Sequence, residues 1–155
     1  MSGIVGGAGS RSGIIGTTEL DYEEGTFGGT AANAIVFPSG SGTVTCGSHG
    51  ILSYTKIGRA VHITGEVVVT ATSSPVGTIR LYLPFAVGDG INLSQRGATA
   101  FGAYGVSYAS GSYALVSWNE GDAFCNLYTL GDGLTWGEVT LSTNDELLFA
   151  FTYFI

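Results

Sequence analysis

Beyond about Thr43, apolar and polar positions alternate with a period of two, and no window holds apolar residues at sustained helical spacing. Residues 61–70 alternate over most of their length and are rich in β-branched side chains, which suit a pleated, half-buried surface. Ser73-Ser74-Pro75-Val76-Gly77 is expected to end that strand, and residues 79–83 then alternate again until Pro84. Further strand-sized runs cover 98–108, 113–118, 123–129 and 147–155. Gly88-Asp89-Gly90, Asn119-Glu120-Gly121-Asp122 and Gly131-Asp132-Gly133 read as turns between them. Short strands divided by turns every 8–12 residues or so predict an all-β, antiparallel, jelly-roll-like sandwich.

The last run is apolar on both sides. Leu147, Phe149, Phe151 and Tyr153 alternate with Leu148, Ala150, Thr152 and Phe154, whereas a half-exposed antiparallel strand is polar on one side. One side is expected to face the core and the other a neighbouring subunit, and Leu147, Phe149, Phe151 and Tyr153 are assigned to that interface. A central strand covered within its own domain is the alternative.

The start of the chain reads differently. Residues 1–18 are glycine-rich, with the small apolar pairs Ile4-Val5 and Ile14-Ile15 and one charge, Arg11. Each glycine costs a helix about 1 kcal/mol, and nothing in the segment folds on itself. It is expected to be an extended arm lying along a partner, with residues 19–155 forming the head domain.

Composition sharpens this. Glycine fills 26 of 155 positions, charged residues only 11%, and apolar residues 45%. So few ions on a free surface point to a chain covered in part by other protein. The net charge of −7 and pI near 4.4 leave no basic face for nucleic acid or anionic membrane. No signal-peptide run opens the chain, so synthesis in a cytoplasm is expected, with Cys46 and Cys125 as free, buried thiols.

Candidate chemistry is sparse. His49 sits in an expected loop and His62 on the polar side of a strand, and no Gly-x-Ser-x-Gly elbow presents a nucleophile. Adjacent Glu23 and Glu24 point to opposite faces of an extended chain, so they cannot act on one bond. Asp89, Glu120, Asp122 and Asp132 fall in expected turns, where acids satisfy backbone donors; calcium there stays open, though EF-hand spacing is missing. No catalytic residue, cofactor or metal ligand is expected. Trp118, Trp136, Tyr104, Tyr108 and Tyr113 would stack on sugar rings if exposed, and on strands such residues are more commonly core or interface.

Two stretches carry a resemblance. Leu20-Asp21-Tyr22-Glu23-Glu24-Gly25-Thr26-Phe27 resembles the DYEEGT[FW] segment of many tailed-bacteriophage virion proteins. Tyr54-Thr55-Lys56-Ile57-Gly58, continuing to Gly65, resembles the YTKIG strand that follows it there, and Leu83-Pro84-Phe85 is similar to the LPF step of the same pattern. After Phe27 the chain departs from the usual Thr-Pro-Thr and has Gly28-Gly29-Thr30. The resemblance implies a non-enzymatic β-sandwich head at the virion surface, assembled as a homotrimer. Two roles follow: a capsid decoration or cement protein docked on the major capsid protein or another virion protein by Ile4, Val5, Arg11, Ile14 and Ile15, or a tail-fibre tip recognising a bacterial surface glycan. Only about twenty residues precede the motif, which favours decoration over a shafted fibre.

Overall fold

The structure, a computed structural model, describes residues 21–28, 36–48, 50–88, 96–108, 110–131 and 136–155. Its strands are β1 (Tyr22–Gly28), β2 (Val36–Pro38), β3 (Ser41–Cys46), β4 (Ile51–Ile57), β5 (Ala60–Val76), β6 (Ile79–Tyr82), β7 (Gly97–Ala100), β8 (Gly102–Tyr104), β9 (Tyr113–Trp118), β10 (Phe124–Leu130), β11 (Trp136–Glu138) and β12 (Glu146–Phe154). The described residues contain no helix. Two antiparallel six-stranded sheets form a sandwich. The first runs β1-β4-β5-β12-β8, with β3 beside the far half of β5; the second runs β2-β6-β10-β9-β7, with β11 beside β10.

The period of two decides what is inside. Leu52, Val61, Ile63, Val67, Leu147, Phe149, Phe151 and Tyr153 of the first sheet are buried against Val36, Ile79, Leu81, Ala114, Val116, Cys125 and Leu127 of the second. Aromatic rings join the layers. Trp118 stacks on Phe151 at 5.5 Å and Phe101 on Phe149 at 5.2 Å, so ring faces meet in the offset manner their quadrupoles favour.

Two expected boundaries move. The strand over 61–70 does not end at Ser73: β5 runs on to Val76 because β3 pairs with its far half. The pairing jumps from Thr43↔Ser73 to Ser41↔Val76, so Ser74 and Pro75 oppose the single Gly42 in a bulge. Gly42 has φ +85° there and Ser74 +41°; the bulge also accommodates Pro75, which has no N–H to give a ladder. The run over 98–108 is likewise two strands in different sheets, β7 and β8. Phe101, between them, is buried on Phe149 at the point where the chain crosses the core.

Candidate functional site

The motif residues come together as partners. β1 and β4 pair from Tyr22↔Ile57 to Gly28↔Ile51, so DYEEGTF lies antiparallel along YTKIG. Lys56, opposite Glu23, is buried, and its Nζ donates to Asp21 Oδ2 at 2.6 Å. Tyr54 Oη donates to Glu23 Oε1 at 2.6 Å, and Tyr22 Oη to Glu24 Oε2 at 2.7 Å. Donation to a carboxylate holds both phenols above their ordinary pKa. The Tyr54 ring crosses β1 at Gly25, where a Cβ would lie 2.8 Å from the phenol oxygen. β4 turns into β5 through Gly58-Arg59, a two-residue hairpin whose first position has φ +57°, as a II′ turn requires. Gly58 N–H donates to the Asp21 carbonyl.

The third motif step closes the same end of the sandwich. Phe85 meets Tyr54 edge-on at 5.3 Å, and Tyr54 lies 6.3 Å from Phe27. Tyr153 Oη donates to the Phe85 carbonyl at 2.9 Å and accepts from its N–H at 3.3 Å. Burial raises the Tyr153 phenol pKa, keeping it a donor. Asp21 and Glu23, through Lys56 and Tyr54, thus hold the edge strand β1 to the sheet, while Glu24 is bonded to Tyr22 within β1 itself.

The interface assignment on β12 is corrected. Leu147, Phe149, Phe151 and Tyr153 are the buried side, because Phe101 and Trp118 from across the sandwich stack on that side. The outward side is Leu148, Ala150, Thr152 and Phe154. Register extends it across the first sheet. Tyr22, Ile57, Ala60 and Phe154 form one transverse row, and Glu24, Thr55, His62 and Thr152 the next. His62 Nδ1 lies 2.9 Å from Thr152 Oγ1 on this exposed face.

The outer face of the second sheet carries rings. Phe37 stacks on Tyr82 at 4.5 Å, and the Arg80 guanidinium lies 4.2 Å over Phe124. Arg80 Nε donates to Asn126 Oδ1 at 3.3 Å, and Tyr128 meets Trp136 edge-on at 5.1 Å. Of the aromatics noted in the sequence, Trp118 turns inward onto Phe151, while Trp136, Tyr104, Tyr108 and Tyr113 are exposed. Tyr128 and Asn126 were missed, although alternation along β10 places Phe124, Asn126 and Tyr128 on one side.

Both cysteines are free thiols. Cys125 is buried and Cys46 only half-buried; desolvation raises both, Cys46 to about 11. Asp122 accepts from Asn119 Nδ2 within its turn. Among the described residues no cluster of three or more His, Cys, Asp and Glu side chains could hold a metal, and no helix is long and apolar enough to cross a membrane. Ile4, Val5, Arg11, Ile14 and Ile15, the arm boundary at residue 18, and His49, Asp89 and Asp132 lie outside the described residues.

No protein-family model matches the chain, and no curated protein matches it. Its fold is similar to that of part of a tailspike. A solved structure, that of the Dettilon tailspike protein (gp208), superposes with a TM-score of 0.67 at 20% sequence identity. The match covers 85% of this chain and 23% of the tailspike, so the chain spans about a quarter of the length of that protein.

Proposed function

We propose that the chain is a non-enzymatic structural head of a tailed-phage virion, carried on the tail and assembled as a homotrimer. The observation that carries this is the likeness of fold to a segment of a tailspike over 85% of the chain. The DYEEGTF, YTKIG and LPF stretches support it from the sequence side, since they close one end of that fold. Two carboxylates of these stretches, Asp21 and Glu23, are engaged in holding β1 to Lys56 and Tyr54. Docking on a capsid shell is the role expected of residues 1–18, so the head carries the tail reading independently of it.

The outward face of the first sheet is the surface for self-association. Tyr22, Ile57 and Phe154 lie in one row and are each about half exposed, in a chain with 11% charged residues. Gold-labelled antibody against the head is expected to decorate the tails of purified particles. Label on the shell would assign the chain to decoration, and unlabelled particles containing no such chain would overturn the virion reading. Sedimentation of the purified protein is expected to give about 48 kDa, three copies of a 15.9 kDa chain; a stable monomer at micromolar concentration would remove the trimer.

A further inference from the structure

β12 is paired along its whole length by β5, but on its other side β8 covers only Glu146, Leu147 and Leu148. Beyond Leu148 no strand among the described residues lies against that side. A groove of about 510 Å³ reaches this open stretch, lined by Arg59, Arg96, Trp118, Thr152 and Phe154. At the opposite margin of the same sheet, β1 has β4 on one side and no described strand on the other. Free edges of this kind take up strands from other chains. We propose that β1 of one copy adds as an antiparallel strand to the open half of β12 in the next, closing three copies head to tail. This deepens the homotrimer reading and rests on it.

The two edges match in backbone direction, in height and in charge. In an antiparallel ladder one residue turns its N–H and C=O to one side and the next residue to the other. Gly58 N–H donates to the Asp21 carbonyl, so the odd-numbered residues of β1 face β4, and Tyr22, Glu24 and Thr26 face outward. Ile155 N–H donates to the Arg59 carbonyl, so the odd-numbered residues of β12 face β5, and Ala150, Thr152 and Phe154 face the open side. Within one sheet Glu24, Thr55, His62 and Thr152 form one row, and Thr26, Ser53, Thr64 and Ala150 the next. A threefold axis along the strands turns each copy into the next without changing height. Glu24 of the next copy then arrives opposite Thr152, and its Thr26 opposite Ala150, each pair placed to exchange two N–H···O bonds. β1 runs with β5 and against β12, so the added strand is antiparallel. Two residues further on, β1 ends at Gly28 and β12 meets β8 at Leu148. At the other limit the Phe154 carbonyl already accepts from Gly88 N–H. Charge agrees with this register. β1 brings Glu23 and Glu24, and the groove brings Arg59 and Arg96, two of the chain's five cations. Among the described residues Arg96 has no ion pair, and Arg59 uses its Nε on the Ile155 carbonyl.

The test is a disulfide between copies. Within one chain Glu24 and Thr152 stand three strand spacings apart, about 14 Å, too far for an S–S bond. Opposite each other in a ladder, their Cα atoms would lie about 5.5 Å apart, within its reach. The full chain carrying both Glu24→Cys and Thr152→Cys is expected, once oxidised, to run without reductant as a covalent species of three chains. Either single variant is expected to run as one chain. A sedimenting trimer that gives no covalent trimer would overturn the pairing and leave the homotrimer standing, whereas a monomer would remove both. Covalent dimers that go no further would mean a reciprocal twofold exchange and overturn the ring. Thr152→Pro takes away an edge N–H that no described residue uses. It is expected to raise the concentration for half-association about tenfold or more, with circular dichroism unchanged. Glu24→Arg and Arg96→Glu each set like charges together and are expected to raise it about tenfold. Combining the two is expected to bring it back to within about threefold of the parent. Association of Thr152→Pro and Arg96→Glu at the parent's concentration would place the contact elsewhere and overturn the proposal.

Discussion

The two outer faces of the sandwich are built on the same alternation and carry different chemistry. On the first sheet the outward rows mix threonines, Ser53, His62 and glutamates with Ile51, Leu148 and Ala150, and Tyr22, Ile57 and Phe154 share the row at one end. On the second sheet the outward positions are rings in contact: Phe37 on Tyr82, Arg80 over Phe124, and Tyr128 against Trp136. The inner faces need only apolar volume, so selection for folding treats both sheets alike. The outward positions are free of that demand, and it is there that the two sheets differ. Short β-branched and hydroxyl side chains suit a pleated surface, whereas rings in contact fix one another's orientation.

The largest effect is expected from what both faces share. Phe151 is buried between Trp118 and its own strand neighbours, Phe149 and Tyr153. Phe151→Ala is expected to cost about 3–5 kcal/mol in denaturant unfolding, through lost transfer energy and the cavity left behind. Both outer faces should lose their properties together. A loss under about 1 kcal/mol, in the range of surface substitutions, would place Phe151 outside the core.

Next comes the β1 edge of the first sheet. Lys56 is buried and has Asp21 as its charged partner, while Asp21 is 64% exposed in its side chain. Asp21→Ala leaves an ammonium without its carboxylate, and about 1–2 kcal/mol is expected, less than a fully buried pair would give because water reaches the site. Lys56→Met in the same background is expected to recover much of it. Hydrogen exchange should show β1 opening more readily in Asp21→Ala, with β9 and β10 of the second sheet unaffected. Equal loosening of both sheets would mean the pair supports the whole fold.

A smaller effect is expected from pH, with one thiol in each sheet. Cys46 on β3 is pushed up to about 11 from an ordinary 9.0, and burial raises Cys125 on β10 as well. Above pH 9 the unfolded chain releases these protons and the folded chain keeps them. The unfolded state then binds fewer protons, so stability falls as pH rises from about 9 toward 11. Urea unfolding at pH 8 and pH 10.5 measures the fall, and Cys46→Ala with Cys125→Ala is expected to reduce it. At pH 8, a disulfide reagent should label Cys46 well before Cys125, because Cys125 opens only with the second sheet.

Much of the sandwich was legible in the chain because alternation is a local signal. β9 coincides with its expected run, and β6, β10 and β12 differ from theirs by a residue or so. What escaped was decided by distant partners. β1 carries two glutamates, a poor strand pattern alone, and is held by Tyr54 and Lys56 more than thirty positions on. Which side of β12 is buried could not be read from a run apolar on both sides; Phe101 and Trp118, brought across the core, decide it. The ring pair on the second sheet escaped for the same reason, since Trp136 reaches Tyr128 only through the pairing of β11 with β10.

The smallest change in stability is expected from single substitutions on the two faces, and there the contrast between them is most exposed. Phe154 and Trp136 are 54% and 53% exposed, one on each sheet. Replacing either with serine removes a ring that stands half in water and creates no cavity, so each is expected to stay within about 0.5 kcal/mol of the parent. Their consequences should nonetheless divide. Phe154→Ser removes an end of the apolar row across β1, β4, β5 and β12, and is expected to raise the concentration needed for the 48 kDa species of the 15.9 kDa chain. Trp136→Ser is expected to leave sedimentation unchanged. The crossed result, dissociation by Trp136→Ser and none by Phe154→Ser, would exchange the roles of the two faces. If both variants dissociate the oligomer, assembly draws on both sheets, and the division between an assembling sheet and one that stands apart from assembly fails.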